Sequence, residues 1–145
     1  TGIENLDLPT SAQWEYACRA GTTGSWHNGY TITNETVDAE ANNVCWYSKN
    51  CKGYQSVGLR WPNGWGCYDM QGNVRECCLD WGYSVSAADA IDPEGPLSSW
   101  TSARTARSGY CYSGTAQTSR IGVTNFRTQN NNIDDQGCHV FLTLE

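Results

Sequence analysis

Apolar and polar positions follow a clear period in only three places. In LDLPTSAQWEYACRAG, Trp14, Ala17 and Cys18 recur at the spacing of one helical face. Thr10 and Gln13 have the Thr-x-x-Gln spacing of a capping box, which satisfies two orphan amide donors, and Gly21 supplies a C-terminal stop. A helix is therefore predicted between Thr10 and Gly21. The second stretch is Asn63–Trp81, NGWGCYDMQGNVRECCLDW. Trp65, Tyr68, Met70, Val74, Leu79 and Trp81 make it too apolar for a free loop, and its glycines argue against one long helix. It is predicted to be a turn-rich core segment in which Gly66 and Gly72 take positive φ or allow close approach. The third is the terminal GCHVFLTLE, where Val140, Leu142 and Leu144 alternate with Phe141 and Thr143, a strand pattern.

The rest has turn chemistry without period. Residues 22–36 read as loop, with His27 beside Asn28-Gly29 as a solvated turn residue. Asp38–Val44 is short and polar, and Lys52–Arg60 reads as a brief extended piece before Pro62. Pro93 and Pro96 mark a surface loop whose acidic residues are solvated. Residues 101–135 are rich in Ser, Thr, Asn and Gly. No internal repeat is visible.

A chain of 145 residues suits one domain. Its net charge of -6 and just two lysines, Lys49 and Lys52, exclude a nucleic-acid surface, which needs clustered positive charge. No apolar run has the length of a membrane span. Seven tryptophans amid sparse charge predict an irregular fold with an aromatic core.

The eight cysteines permit four disulfides of unreadable connectivity. Cys45 and Cys51 bracket WYSKN and could close a small loop. Cys18, Cys67, Cys77 and Cys78 read as small buried hydrophobes. Paired Cys-x-x-Cys knuckles for zinc are absent. Asp69 and Glu76 flank the turn Gln71-Gly72-Asn73. Two carboxylates and turn carbonyls on one loop suit calcium, which takes six to eight oxygens. The competing reading has Asp and Asn closing their own turns by side-chain hydrogen bonds.

LPTSAQWEYACRAGT, GWGCYDMQGNVREC, CLDW, DPEGP, RTARSGY and GCHVFLTL, in that order, resemble landmarks of the formylglycine-generating (sulfatase-modifying factor) domain family. The resemblance implies an α+β fold of irregular C-type lectin-like type: a small antiparallel sheet, two helices and long loops. The family's N-terminal portion is missing, leaving one domain over 1–145. The resemblance also implies a calcium site with side-chain oxygens from Asp69 and Glu76 and backbone carbonyls from Gly72 and Val74. The sequence departs from the family at its chemistry. Family enzymes oxidise a substrate cysteine with two cysteines and copper, a pairing suited to thiolates. Counting back from Gly137-Cys138-His139 puts Gly114 and Ser119 in those two positions. No copper and no catalysis are therefore expected. Cys111 and Cys138 as a displaced copper pair, and a purely structural or assembly domain, are the alternatives.

Some proteins with this domain are variable proteins of diversity-generating retroelements, in which adenine randomisation turns Asn codons into many residues but never into Trp, Met, Gln, Glu or Lys. Those five types make up 23 of the 145 residues, yet only Gln117 and Gln129 represent them between Thr105 and Asp135. By this resemblance, residues 105–135 form a variable ligand-binding region. Its candidate contacts are Tyr110, Tyr112, Ser113, Thr118, Val123, Asn125, Phe126, Arg127, Thr128, Ile133 and Asp134, with Arg104, Ala116, Gln117 and Arg120 as fixed frame. Tyr and Phe among Ser, Thr and Gly is paratope-like chemistry. The expected partner is a protein or glycan, met at a cell surface or virion, with a cytoplasmic setting left open.

Overall fold

The computed structural model describes residues 6–82, 95, 102–112, 114–128, 136–139 and 141–142. The fold is α+β. Its elements are β1 (Leu6–Asp7), α1 (Ser11–Arg19), α2 (Ala41–Val44), β2 (Arg75–Trp81), β3 (Ala103–Arg107), a 3-10 turn at Gln117–Ser119, β4 (Asn125–Thr128), β5 (Gln136–Gly137) and β6 (Phe141–Leu142). The main sheet has the order β4-β3-β2-β5, with β5 parallel to β2 and the other pairs antiparallel. A separate pairing joins β1 to β6 near the two ends of the chain.

The predicted helix is present, and its capping box is complete. Thr10 Oγ1 accepts from the Gln13 amide at 3.2 Å, and Gln13 Oε1 accepts from the Thr10 amide at 3.0 Å. The left-handed stop begins at Ala20 (φ 46°), one residue before Gly21 (φ 88°). Trp14, Ala17 and Cys18 pack on Met70, Cys78 and Ile121 to form one core cluster. Trp26, Ala41, Val44, Cys45, Tyr47 and Ala116 form a second.

Several sequence expectations are corrected. The Asn63–Trp81 segment ends in a regular strand, β2, with inverted polarity: Glu76 and Asp80 are buried while Leu79 is exposed. Each buried acid is met by a donor. Asp80 Oδ2 accepts from the Ser11 amide at the N-terminus of α1, where orphan N–H groups favour an anion. Trp65 and Tyr68 are exposed, so within that segment's bulky apolar set only Met70 is fully buried. His27 is buried, contrary to its reading as a solvated turn residue. Its Nε2 lies 3.0 Å from the Trp61 carbonyl, and burial holds its pKa below the usual histidine range. Lys52–Arg60 contains no strand, whereas residues 101–135 contain β3 and β4. The terminal strand pattern splits into β5 and β6 around Cys138 and His139. The Pro93–Pro96 loop lies, Gly95 apart, outside the described residues.

Candidate functional site

The site is built from the turn Gln71-Gly72-Asn73, each residue of which fixes a different segment. Gln71 is buried; its Oε1 accepts from the His27 amide at 2.9 Å, and its Nε2 donates to the Ser25 and Ser119 carbonyls at 3.2 and 2.9 Å. Gly72 (φ 76°) touches the backbone of Trp46, and a Cβ there would stand 2.2 Å from the Trp46 carbonyl oxygen, so only glycine fits. Asn73 (φ 62°) reaches across to residue 55. Its Oδ1 accepts from the Gln55 amide at 3.0 Å and its Nδ2 donates to the Gln55 carbonyl at 3.1 Å. The Asn73 carbonyl accepts from the Cys111 amide at 3.0 Å.

This turn lays the loop around Tyr54 beside the segment that follows β3. The Tyr54 and Tyr112 rings meet edge to face with centroids 5.2 Å apart. Both are exposed, Tyr112 at 64%. Two residues before Tyr112, the Tyr110 ring carries the Arg75 guanidinium 3.7 Å from its centre, a cation–π contact at the start of β2. Ser48 donates twice to the Gly114 carbonyl, from its amide at 3.0 Å and its hydroxyl at 2.7 Å. Thr118 closes the following turn through Thr115, accepting from its amide at 2.8 Å and donating to its carbonyl at 3.0 Å.

The candidate contact residues thus fall into two sets. Tyr110, Tyr112 and Thr118 gather about the Gly114 turn. Asn125, Phe126, Arg127 and Thr128 lie along edge strand β4, opposite Ala106, Thr105, Arg104 and Ala103 respectively. Phe126 is exposed, and its ring rests on Gly82. Val123 is half-buried, its amide donating to the Arg120 carbonyl at 3.2 Å. Ser113, Ile133 and Asp134 lie outside the described residues. Sequence reasoning missed Tyr54 and Arg75. Tyr54 stands well before the stretch singled out as variable, and Arg75 lies inside a motif quoted only for its family resemblance.

The positions matched to the family's cysteines are tight. A Cβ at Gly114 would stand 2.4 Å from the Tyr110 carbonyl oxygen, so a cysteine there needs the backbone to move. Ser119 is fully buried and donates to the Thr115 carbonyl at 3.2 Å. Cys111 faces Cys51, and burial pushes its thiol up to about 11, which keeps it protonated at neutral pH.

Asp69, Gly72, Val74 and Glu76 fit calcium in chemistry, as an all-oxygen set. At least four of these oxygens are already engaged within this chain: both of Glu76, Asp69 Oδ2 and the Gly72 carbonyl, which accepts from the Ser108 hydroxyl at 3.3 Å. Glu76 Oε1 lies 2.6 Å from His139 Nδ1, and Oε2 accepts from Trp14 Nε1. The hydrogen bond to Glu76 raises the His139 pKa and so favours the charged form of the imidazole beside that carboxylate. Burial raises Glu76 itself against the pull of His139 and Trp14. Asp69 (φ 55°) accepts from the Gly58 amide at 2.6 Å, so Asp69 and Asn73 both brace a neighbouring loop instead of closing their own turns. Among the described residues no three His, Cys, Asp or Glu side chains cluster as a metal site.

The sulfatase-modifying factor enzyme 1-like domain profile matches residues 3–143. The chain belongs to that family. The bovine formylglycine-generating enzyme is 31% identical over 111 residues, covering 63% of this chain and 26% of the enzyme. Treponema denticola variable protein 1 superposes with a TM-score of 0.79 at 33% identity, covering 93% of this chain and 46% of that one. PvdO from Pseudomonas aeruginosa, at 22% identity, shares the fold with a TM-score of 0.76 over 93% of this chain and 51% of PvdO. This member of the family therefore spans about half the length of its structural neighbours and a quarter of the bovine enzyme. No helix among the described residues is long and apolar enough to cross a membrane.

Proposed function

We propose that this domain is a non-catalytic ligand-binding module whose specificity resides in a variable surface within residues 105–135, as in variable proteins of diversity-generating retroelements. The observation that carries the reading is the exposed Tyr54–Tyr112 pair, with Arg75 held on Tyr110 two residues away in the same segment. Exposed rings on a rigid base provide contact area at low entropic cost. A structural or assembly domain would present a flat polar face there. The likeness to a variable protein supports the same reading. The ligand is a protein or glycan, met at a cell surface or virion. The crowding at Gly114 and the burial of Ser119 weigh against a copper-thiolate oxidase. The genomic locus should carry a reverse transcriptase and a near-repeat of the gene's 3′ end. Sister chains should differ mainly within residues 105–135; differences spread evenly along the chain would overturn the reading. In parallel, copper-loaded protein should leave a sulfatase-type cysteine peptide unchanged, and aldehyde formation would restore the enzyme.

Calcium belongs to this reading as a structural ion held by Asp69, Gly72, Val74 and Glu76. It would tie the central turn and supply no reaction chemistry, since binding that favours the folded state acts as stability. His139 would have to yield its place on Glu76. Saturating calcium should raise the melting temperature by about 5 °C relative to chelator. Identical melting curves would remove calcium from the proposal.

A further inference from the structure

We propose that Cys51 and Cys111 are a disulfide-forming pair, closed by a disulfide oxidant such as oxidised glutathione. The two thiols lie close enough to interact: Cys51 Sγ, which donates to the Tyr47 carbonyl at 3.1 Å, also lies 3.9 Å from the Cys111 carbonyl oxygen. Contacts on both sides fix the two backbones. Ahead of Cys51, Ser48 holds the Gly114 carbonyl through its amide and its hydroxyl; beyond it, the Tyr54 ring meets Tyr112. Asn73 binds Gln55 with its side chain and the Cys111 amide with its carbonyl. The thiols therefore meet in an arrangement that other bonds already maintain, which spares a new cross-link the backbone movement that usually strains it. Competing partners are sequestered: Cys45 is fully buried in the second core cluster, and Cys18 and Cys78 in the first.

Exposure sets the order of events. Cys51 is partly exposed and Cys111 is buried. Cys51, as the thiolate, attacks one sulfur of oxidised glutathione, forming a mixed disulfide and releasing one glutathione thiolate. Cys111 then loses its proton to that thiolate or to solvent and attacks Cys51 Sγ, expelling the second glutathione. Overall, two protein thiols are oxidised to one disulfide, and one glutathione disulfide is reduced to two thiols. Such a bond accumulates in an oxidising compartment and is kept open in a reducing one.

The proposal stands on the thiol geometry and fails or survives separately from the binding reading. Under both, the bond would clamp Tyr54 against Tyr112. The test treats the folded protein with oxidised glutathione, blocks remaining thiols, and maps peptides without reduction. The expected result is a peptide joining Cys51 to Cys111 and a melting temperature raised by about 10 °C, because the link constrains a long loop of the unfolded chain. Cys51→Ser and Cys111→Ser should each abolish the peptide and the shift. A Cys45–Cys51 link, glutathione retained on Cys51 beside a free Cys111, or no mass change in the wild-type protein would overturn the proposal.

Discussion

Trp14→Ala should lower the unfolding free energy by about 4 kcal/mol, read as a shifted midpoint in guanidinium denaturation. Trp14 is fully buried at the centre of the α1–sheet core cluster. Truncation opens a cavity among Cys18, Met70, Cys78 and Ile121, which a rigid core closes only in part. It also removes the indole donor from the buried Glu76 carboxylate and the ring that faces the Arg107 guanidinium at 5.1 Å. Trp14→Phe separates these effects: it keeps most of the packing, loses the donor, and should cost about 1–2 kcal/mol. Equal losses in the two variants would mean that the hydrogen bond, and not the packing, is what Trp14 contributes.

The second large effect is expected at Asp38, in a stretch that reads as merely short and polar. Asp38 is buried, and its two oxygens collect six hydrogen bonds. Oδ1 accepts from Trp26 Nε1 (3.1 Å) and the amides of Glu40 (3.0 Å) and Ala41 (3.1 Å). Oδ2 accepts from the Thr33 amide (2.8 Å), the Thr33 hydroxyl (3.0 Å) and the Asn34 amide (3.2 Å). One carboxylate thus ties the loop after α1, the start of α2 and the Trp26 indole into a unit. Asp38→Ala strands these donors and should cost about 3 kcal/mol or more, since a buried donor left unpaired loses its full solvation. Burial would raise the Asp38 pKa, but the hydrogen bonds from Thr33, Ala41 and Asn34 outweigh it and hold the pKa below the usual aspartate value. The sign follows: this contribution is fully present above about pH 4 and is lost as pH falls through the lower folded-state value. Asp38→Asn should therefore destabilise at neutral pH, with the gap to wild type closing in acid. A gap that stays constant down to pH 2 would contradict the assignment.

Helix α1 was legible because its signals are local: a cap at Thr10, a face at Trp14, Ala17 and Cys18, and a stop near Gly21. Strand β2 was not, because its buried positions carry Glu76 and Asp80 while Leu79 faces outward. The partners that make this tolerable, Trp14, His139 and the Ser11 amide, are distant in sequence. His27 was misread for the same reason. Its neighbours Asn28-Gly29 do form a turn, but the ring lies beneath Trp61. In the candidate site, Tyr110 and Tyr112 came from the family resemblance, whereas Tyr54 depends on the reach of Asn73 to Gln55. No hydropathy pattern encodes an amide side chain that binds another loop's backbone.

The seat of Phe126 on Gly82 has an evolutionary consequence. A Cβ at residue 82 would stand 2.7 Å from the aromatic ring. A side chain at 82 therefore displaces a bulky residue at 126 from this seat, whereas with a small residue at 126 the tightest neighbour left is the Ala103 carbonyl oxygen at 3.3 Å. The choice of residue at this edge-strand position is conditional on a position outside the strand. Mutation at 82 can close off choices at 126 without touching β4 itself.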